Sequence, residues 1–144
     1  TGVLTPVELE SRFNVYAEQY LLSIEVEAKL VIDMAKTLIY PAAINYLKLL
    51  SATGSGMAAL GLELDSSTAA TVAAEVNAMM LAVTKLSEAL ATHDFASIEE
   101  HMTFCASEVR ALMVEVRLRA DALEKEVADE LWPLPKYSEM LFIK

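Results

Sequence analysis

The feature that most constrains the fold is the spacing of apolar residues, which recur every three or four positions along three long stretches. In the first stretch they are Leu9, Phe13, Tyr16, Tyr20, Ile24, Val31, Ala35 and Leu38. Such spacing places side chains on one face of a helix, and no stretch of the sequence shows the alternation typical of a strand. The sequence therefore predicts an all-α protein whose first helix turns this face, Tyr16 and Tyr20 included, toward a core.

The three periodic stretches predict an antiparallel bundle of three long helices within one domain, residues 1–144. Pro41 removes a backbone hydrogen bond and crowds the carbonyl of Thr37, so the first helix is expected to kink or break near Tyr40. With that break the helices can be counted as four. The predicted elements are a helix over 6–40 and 41–51, a loop over 52–66, a helix over 67–92, a helix over 94–130 and a tail over 131–144.

The second and third helices are also predicted from apolar residues at helical spacing. In the second these are Val72, Val76, Met79, Val83, Leu86 and Leu90, and in the third Ile98, Cys105, Val109, Leu112, Val116, Leu123 and Val127.

Helix starts are predicted from capping residues. Thr5 followed by Glu8 three positions later matches a capping box for the first helix. Ser66 or Ser67 is predicted to cap the second helix, and Asp94 the third.

Charge and cysteine content limit the partners and the compartment. The formal net charge is −10, from 21 acidic and 11 basic residues, so neither nucleic acid nor a membrane surface is predicted as a partner. The apolar segment 69–83 is interrupted by Glu75 and Asn77 and is too short to span a bilayer. A single cysteine, Cys105, excludes an intrachain disulfide and fits a reducing compartment. With no signal peptide visible at residue 1, a cytoplasmic protein is expected.

Candidate catalytic chemistry is sparse. His101 and Cys105 are four residues apart and share a helix face, an arrangement compatible with a nucleophilic or metal site. A buried cysteine beside a partly exposed histidine is the favoured interpretation, because free cysteine usually behaves as a small core residue. Neither His93 nor His101 follows the Glu-x-x-His pattern of di-metal bundles. The sequence thus predicts no catalytic residue, no metal ligand and no cofactor in this segment.

The chain ends in an apolar segment unlike the rest, LWPLPKYSEMLFIK. Pro133 and Pro135 are expected to stop the third helix and hold the segment extended. Its apolar side chains then need a surface, either a groove that the shorter second helix leaves open in this bundle or a separate partner. The predicted interaction residues are Trp132, Leu134, Tyr137, Met140, Leu141 and Phe142.

Two stretches resemble a known family. Residues 8–46, with Glu10-Ser11-Arg12, the pair Tyr16 and Tyr20, and the segments IEVEAK, DMAKT and YPAA, are similar to the carboxy-terminal region of type III glutamine synthetases. The closing LWPLPKYSEMLF, residues 131–142, resembles the same region, and the order of the two stretches agrees. The middle, 51–128, carries no motif assigned to the family.

The resemblance implies a domain cut from a large cytoplasmic enzyme that joins ammonia to glutamate with ATP and divalent metal, Mg or Mn. Such enzymes are stacked rings of identical subunits, and their catalytic residues lie upstream of this region. The expected role is therefore non-catalytic packing on the catalytic domain of the same polypeptide, or support of a homo-oligomer through neighbouring subunits. The alternative is a free-standing helical bundle that acts as an interaction or signalling adaptor.

Overall fold

The computed structural model describes residues 5–135. Within that range every element is helical, which confirms the all-α prediction. The elements are α1 (Pro6–Met34), a first π-helical segment (Ala35–Ile39), α2 (Tyr40–Ala59), α3 (Ser67–Leu90), α4 (Ile98–Phe104), a second π-helical segment (Cys105–Val109), α5 (Arg110–Glu126) and a 3-10 turn (Asp129–Leu131). Because the π-helical segments join their neighbours without interruption, the described chain has three long helical stretches, as expected.

The first helical stretch is not interrupted at Pro41. Ile39 and Tyr40 keep right-handed helical backbone angles, and the N–H of Tyr40 donates to the carbonyl of Ala35, five residues back. The turn before the proline is therefore widened rather than broken. A π turn shifts the hydrogen-bond ladder by one residue just where proline has no N–H to give, so the helix continues instead of breaking.

The connection after α2 is shorter than predicted, because α2 extends to Ala59 and residues expected in a loop over 52–66 are partly helical. Gly54 and Gly56 lie inside the helix, where glycine costs only about 1 kcal/mol relative to alanine. The helix ends at Gly61, whose φ is 75°. There the Gly61 N–H donates to the carbonyl of Ala58, and the N–H of Leu62 to that of Met57. This Schellman motif needs a left-handed residue, which glycine supplies without strain.

The cap of α1 is confirmed, since the Glu8 N–H donates to Thr5 Oγ1 at 3.1 Å and the Thr5 N–H donates to the Glu8 carboxylate at 3.2 Å. At α3, Ser66 occupies the cap position without a side-chain cap bond. Asp65 Oδ1 instead accepts from the Ser67 N–H at 2.9 Å, and this backbone bond is the main cause that lowers the pKa of the Asp65 carboxyl.

The third helical stretch runs from Ile98 to Glu126 instead of over 94–130. Its cap is Ser97, whose Oγ accepts from the Glu100 N–H at 3.2 Å, so the prediction of Asp94 as the cap is wrong. At the other end Val127 is extended, with φ −74° and ψ 140°, and its side chain is buried. The helix therefore ends four residues before the predicted end at residue 130. Burial of the Val127 side chain favours this change of chain direction.

Ser97→Ala is expected to lower the free energy of unfolding by about 1 kcal/mol, because it leaves the Glu100 N–H without its side-chain acceptor. Asp94→Ala is the matched control and should change stability by less than about 0.5 kcal/mol. Urea unfolding followed by circular dichroism measures both. Equal losses for the two variants would contradict the assignment of Ser97 as the cap.

The core lies between α3 and the other helices. The most extensive helix contact in the described chain is that of α3 with α5, followed by α2 with α3, whereas α1 touches α3, α4 and α5 more lightly. Arg119 of α5 also bridges to α3, with Nη1 3.2 Å from Glu75 Oε2, while its Nε donates to Glu115 at 2.8 Å. The fully buried core side chains with the largest volumes are Met79, Leu86, Leu123, Val72, Val83 and Val109.

Only the later part of the predicted face of α1 lies on the core, where Tyr20 packs against it and Ile24 is buried. Leu9, Phe13 and Tyr16 are exposed, and in residues 5–16 no side chain is buried. The buried face begins at Ala17 and continues with Ile24 and Ala28. The first turns therefore project past the part of the bundle that covers α1, and the prediction of Tyr16 as a core residue is wrong.

By length and composition alone, α3 could cross a membrane, since it has 24 residues and an 18-residue window of mean hydropathy 1.2. The apolar stretch is thus longer than the segment 69–83 considered from sequence. One third of that window is buried inside the bundle, and Glu75 in its middle pairs with Arg119. The core helix of a globular protein passes the same length and composition test, and α3 contacts α5, α2 and α1 at the centre of the bundle.

Candidate functional site

A cavity of about 260 Å³ lies where α1, the end of α3 and the start of the third helical stretch meet. Its polar walls come from His93, His101, Glu25 and Glu18, and its floor is apolar. We call this space the histidine cavity. The two histidines, eight residues apart in sequence, line the same space because the chain reverses between α3 and α4.

The ring of His101 is held by aromatic packing. It stacks on Phe95, with ring centroids 4.3 Å apart and an angle of 12° between the planes, and Phe95 also packs against Phe104 at 5.2 Å. Offset stacking of this kind adds to the stabilisation that burial gives. His101 therefore has a structural role in fixing the turn between α3 and α4.

The charge at the cavity rim belongs mainly to a surface ion pair. Lys29 Nζ lies 2.8 Å from Glu25 Oε1. The hydrogen bond and the charge of Lys29 lower the pKa of Glu25, and His93 and His101 add smaller contributions in the same direction. Because the Lys29 and Glu25 side chains are 66% and 48% exposed, this pair contributes little stability, as surface pairs usually do.

Cys105 is buried beneath the cavity, at 5% exposure. Burial raises the pKa of its thiol, and the negative charge of Glu25 acts in the same direction. A raised pKa leaves little thiolate near neutral pH, and the thiolate is the reactive form. Cys105 next to the half-buried His101 is thus placed as a core side chain rather than as an activated nucleophile.

A protein site for a metal ion needs several His, Cys, Asp or Glu side chains close together. Within residues 5–135 no group of three or more His, Cys, Asp or Glu side chains is placed to hold a metal ion. His93, His101, Glu25 and Cys105 line one cavity but do not form such a group.

The described part of the tail lies against the bundle. Leu131, Trp132 and Leu134 are half-buried and pack on the hydrophobic core, and the 3-10 turn that ends at Leu131 contacts α2. The other predicted interaction residues, Tyr137, Met140, Leu141 and Phe142, lie outside the described residues. Which of the two expected surfaces the tail as a whole covers stays a prediction.

An exposed apolar face on α1 was not anticipated from sequence. Val15, Leu22, Val26 and Leu30 are 53–61% exposed, although they are large aliphatic residues. We call these four residues the outer stripe. The sequence analysis predicts only one apolar side for α1. The spacings of seven, four and four between the residues of the outer stripe are the sequence signal that indicates a second apolar side.

Comparison with known proteins agrees with the resemblance described above. Residues 1–57 match the family model for the glutamine synthetase C-terminal domain. The chain is 35% identical over 153 aligned residues to the type-3 glutamine synthetase of Dictyostelium discoideum, an alignment that covers 100% of this chain and 21% of that relative. It is 28% identical over 151 residues to the glutamine synthetase of Bacteroides fragilis (strain YCH46), covering 99% of this chain and 21% of that protein.

The chain thus spans about one fifth of the length of these relatives, and the two agree in that share. The family match lies over α1, the first π-helical segment and most of α2. These are also the elements in which the sequence stretch 8–46 resembled the family. The chain belongs to the glutamine synthetase C-terminal domain family, in its type III form.

Proposed function

We propose that this chain is the non-catalytic C-terminal helical domain of an ATP-dependent glutamate–ammonia ligase, which makes glutamine from glutamate, ammonia and ATP. The observation that carries the proposal is the alignment of the whole chain with about one fifth of a type-3 glutamine synthetase. ATP and the divalent metal, Mg or Mn, belong to the part of the polypeptide outside this chain. No reaction step is assigned to the residues described here.

The role of the domain is to pack on the catalytic body of its own polypeptide and to support assembly of the homo-oligomer in the cytoplasm. Exposed apolar side chains favour this role, because isolated monomers rarely leave several large aliphatic residues of one helix face in water. The net charge of −10 argues against nucleic acid as a competing partner.

The 144-residue chain alone is expected to show no glutamate-dependent ATP hydrolysis above a protein-free control, whereas the full polypeptide forms glutamine. Phosphate release and glutamine formation are measured for both under the same Mg and Mn concentrations. Deletion of the segment from the full polypeptide should lower both the mass of the assembly, seen by light scattering, and the synthetase activity.

Two results would contradict this function. One is ATP turnover by the 144-residue chain itself. The other is a full polypeptide whose assembly and activity survive the deletion unchanged. A reading frame that encodes only this segment would favour the free-standing adaptor instead.

A further inference from the structure

The outer stripe and the buried face of α1 lie on opposite sides of one helix. At 3.6 residues per turn, Val15, Leu22, Val26 and Leu30 fall within roughly 80° of the helix circumference. The buried residues Ala17, Ile24 and Ala28 are centred roughly 180° away from them. The helix α1 is therefore apolar on both its inner and its outer side.

A helix with two apolar faces is typical of a position between two packed layers. The described structure supplies only the inner layer, formed by α3, α4 and α5. The outer stripe extends over about 22 Å, from Val15 to Leu30 at 1.5 Å per residue. That length is enough for a partner element of several helical turns to lie along it.

We propose that the outer stripe is the surface on which the rest of the same polypeptide docks, so that α1 is the middle layer between this bundle and the catalytic body. This inference rests on the proposed function. The amount of chain outside the structure supports the choice of occupant, because the aligned region is only 21% of each relative. Almost four-fifths of such a polypeptide therefore lies outside this chain and is available to cover the outer stripe.

Charge argues against a second copy of this domain as the occupant. Each copy has a formal net charge of −10, and the exposed residues Glu8, Glu10 and Glu18 of α1 add to the repulsion between two such helices. The stripe itself is flanked by both signs, with Glu18 and Lys29 on one side and Arg12 on the other. This mixed border suits an ordinary polar rim around an apolar contact.

The test compares hydrogen–deuterium exchange of α1 in the full polypeptide and in the isolated 144-residue chain. Docking should slow exchange of the α1 amides in the full polypeptide by roughly tenfold or more, since a contact worth about 1.4 kcal/mol changes an equilibrium tenfold. The variant Leu22→Gln with Val26→Gln should abolish most of this difference. Glutamine keeps a long side chain and adds no charge.

The matched control is Val114→Gln with Leu118→Gln on α5. These residues are also four apart, and their exposure of 55% and 58% is close to that of the outer stripe. The control pair should leave the slower exchange of α1 in place. In the isolated chain both pairs should leave the unfolding temperature nearly unchanged, because the four side chains point into solvent.

Equal exchange of α1 in the two contexts would overturn the proposal, as would retention of the slow exchange in the Leu22 and Val26 variant. Slowing that disappears on dilution would place the contact between chains and would overturn it as well. The deletion experiment keeps the two proposals separable. If deletion lowers assembly and activity while α1 exchanges alike in both contexts, the proposed function stands and the docking surface is wrong.

Discussion

Replacement of Leu123 by alanine should lower the free energy of unfolding of the chain by about 2–5 kcal/mol. Leu123 is 0% exposed and lies on α5 in the core shared with α3. The variant loses the transfer free energy of the buried carbons, about 0.8 kcal/mol for each CH2 group, and leaves a cavity on top of that loss. The helices α3 and α5 form the most extensive contact in the described structure, so they have little freedom to close the gap.

Urea unfolding followed by circular dichroism measures this loss through the midpoint and the slope of the transition. The control is Leu118→Ala, on the same helix but 58% exposed, which should change stability by less than about 0.5 kcal/mol. An unchanged slope for Leu123→Ala would show that the native state lost stability without a change in the surface exposed on unfolding. Similar midpoints for the two variants would contradict the described burial of α5.

The central helix could be predicted from the sequence because its environment is simple. Val72, Val76, Met79, Val83 and Leu86 were placed on one face of the second helix, and all five are buried. α3 packs on α5, α2 and α1, so the apolar stripe that these five residues form faces other helices. Where one apolar stripe meets one core, periodicity alone identifies the inner side.

The same reasoning held for α1 only from Tyr20 onward, because hydrophobicity does not say which part of an apolar stripe has a neighbouring helix. The buried positions Ala17, Ala28 and Ala35 are small and fully covered, which allows α1 to approach its neighbours closely. Larger residues such as Leu9 and Tyr16 are 60% and 62% exposed. Which part of α1 has neighbours depends on the lengths of the other helices and on where they cross, and no local pattern contains that information.

Local side-chain and backbone chemistry explains where the helices begin and end, but the residues responsible are not always the predicted ones. Gly61, rather than Gly54 or Gly56, ends α2 because its φ of 75° permits the Schellman bonds. At the third helix the sequence predicted Asp94 as the cap, whereas Ser97 is the cap in the structure, and the stacking of Phe95 on His101 is a contact that sequence spacing does not reveal. The histidine cavity has the same origin, since His93 and His101 line one space only after the chain reverses.

Removal of residues 131–144 is expected to lower the free energy of unfolding of the isolated chain by about 3 kcal/mol, from the loss of three half-buried apolar side chains. Those side chains are Leu131, Trp132 and Leu134, which pack on the core. The sequence left open whether the tail covers its own bundle or a partner. A large loss in the isolated chain would favour the bundle, because no partner is present there.

A second truncation, of residues 136–144 only, is the matched control, since it keeps the three packed side chains and separates their contribution from that of the last nine residues.

Trp132 is the only tryptophan of the chain, so its fluorescence reports on the tail directly. If the tail packs on the core, the fluorescence and circular dichroism transitions in urea should coincide, as expected for one cooperative unit. A fluorescence transition at clearly lower urea, or an unchanged midpoint after removal of 131–144, would mean that Trp132 and Leu134 contribute little to the bundle. Their apolar surface would then be available to contact the catalytic body, which is the role proposed for the outer stripe of α1.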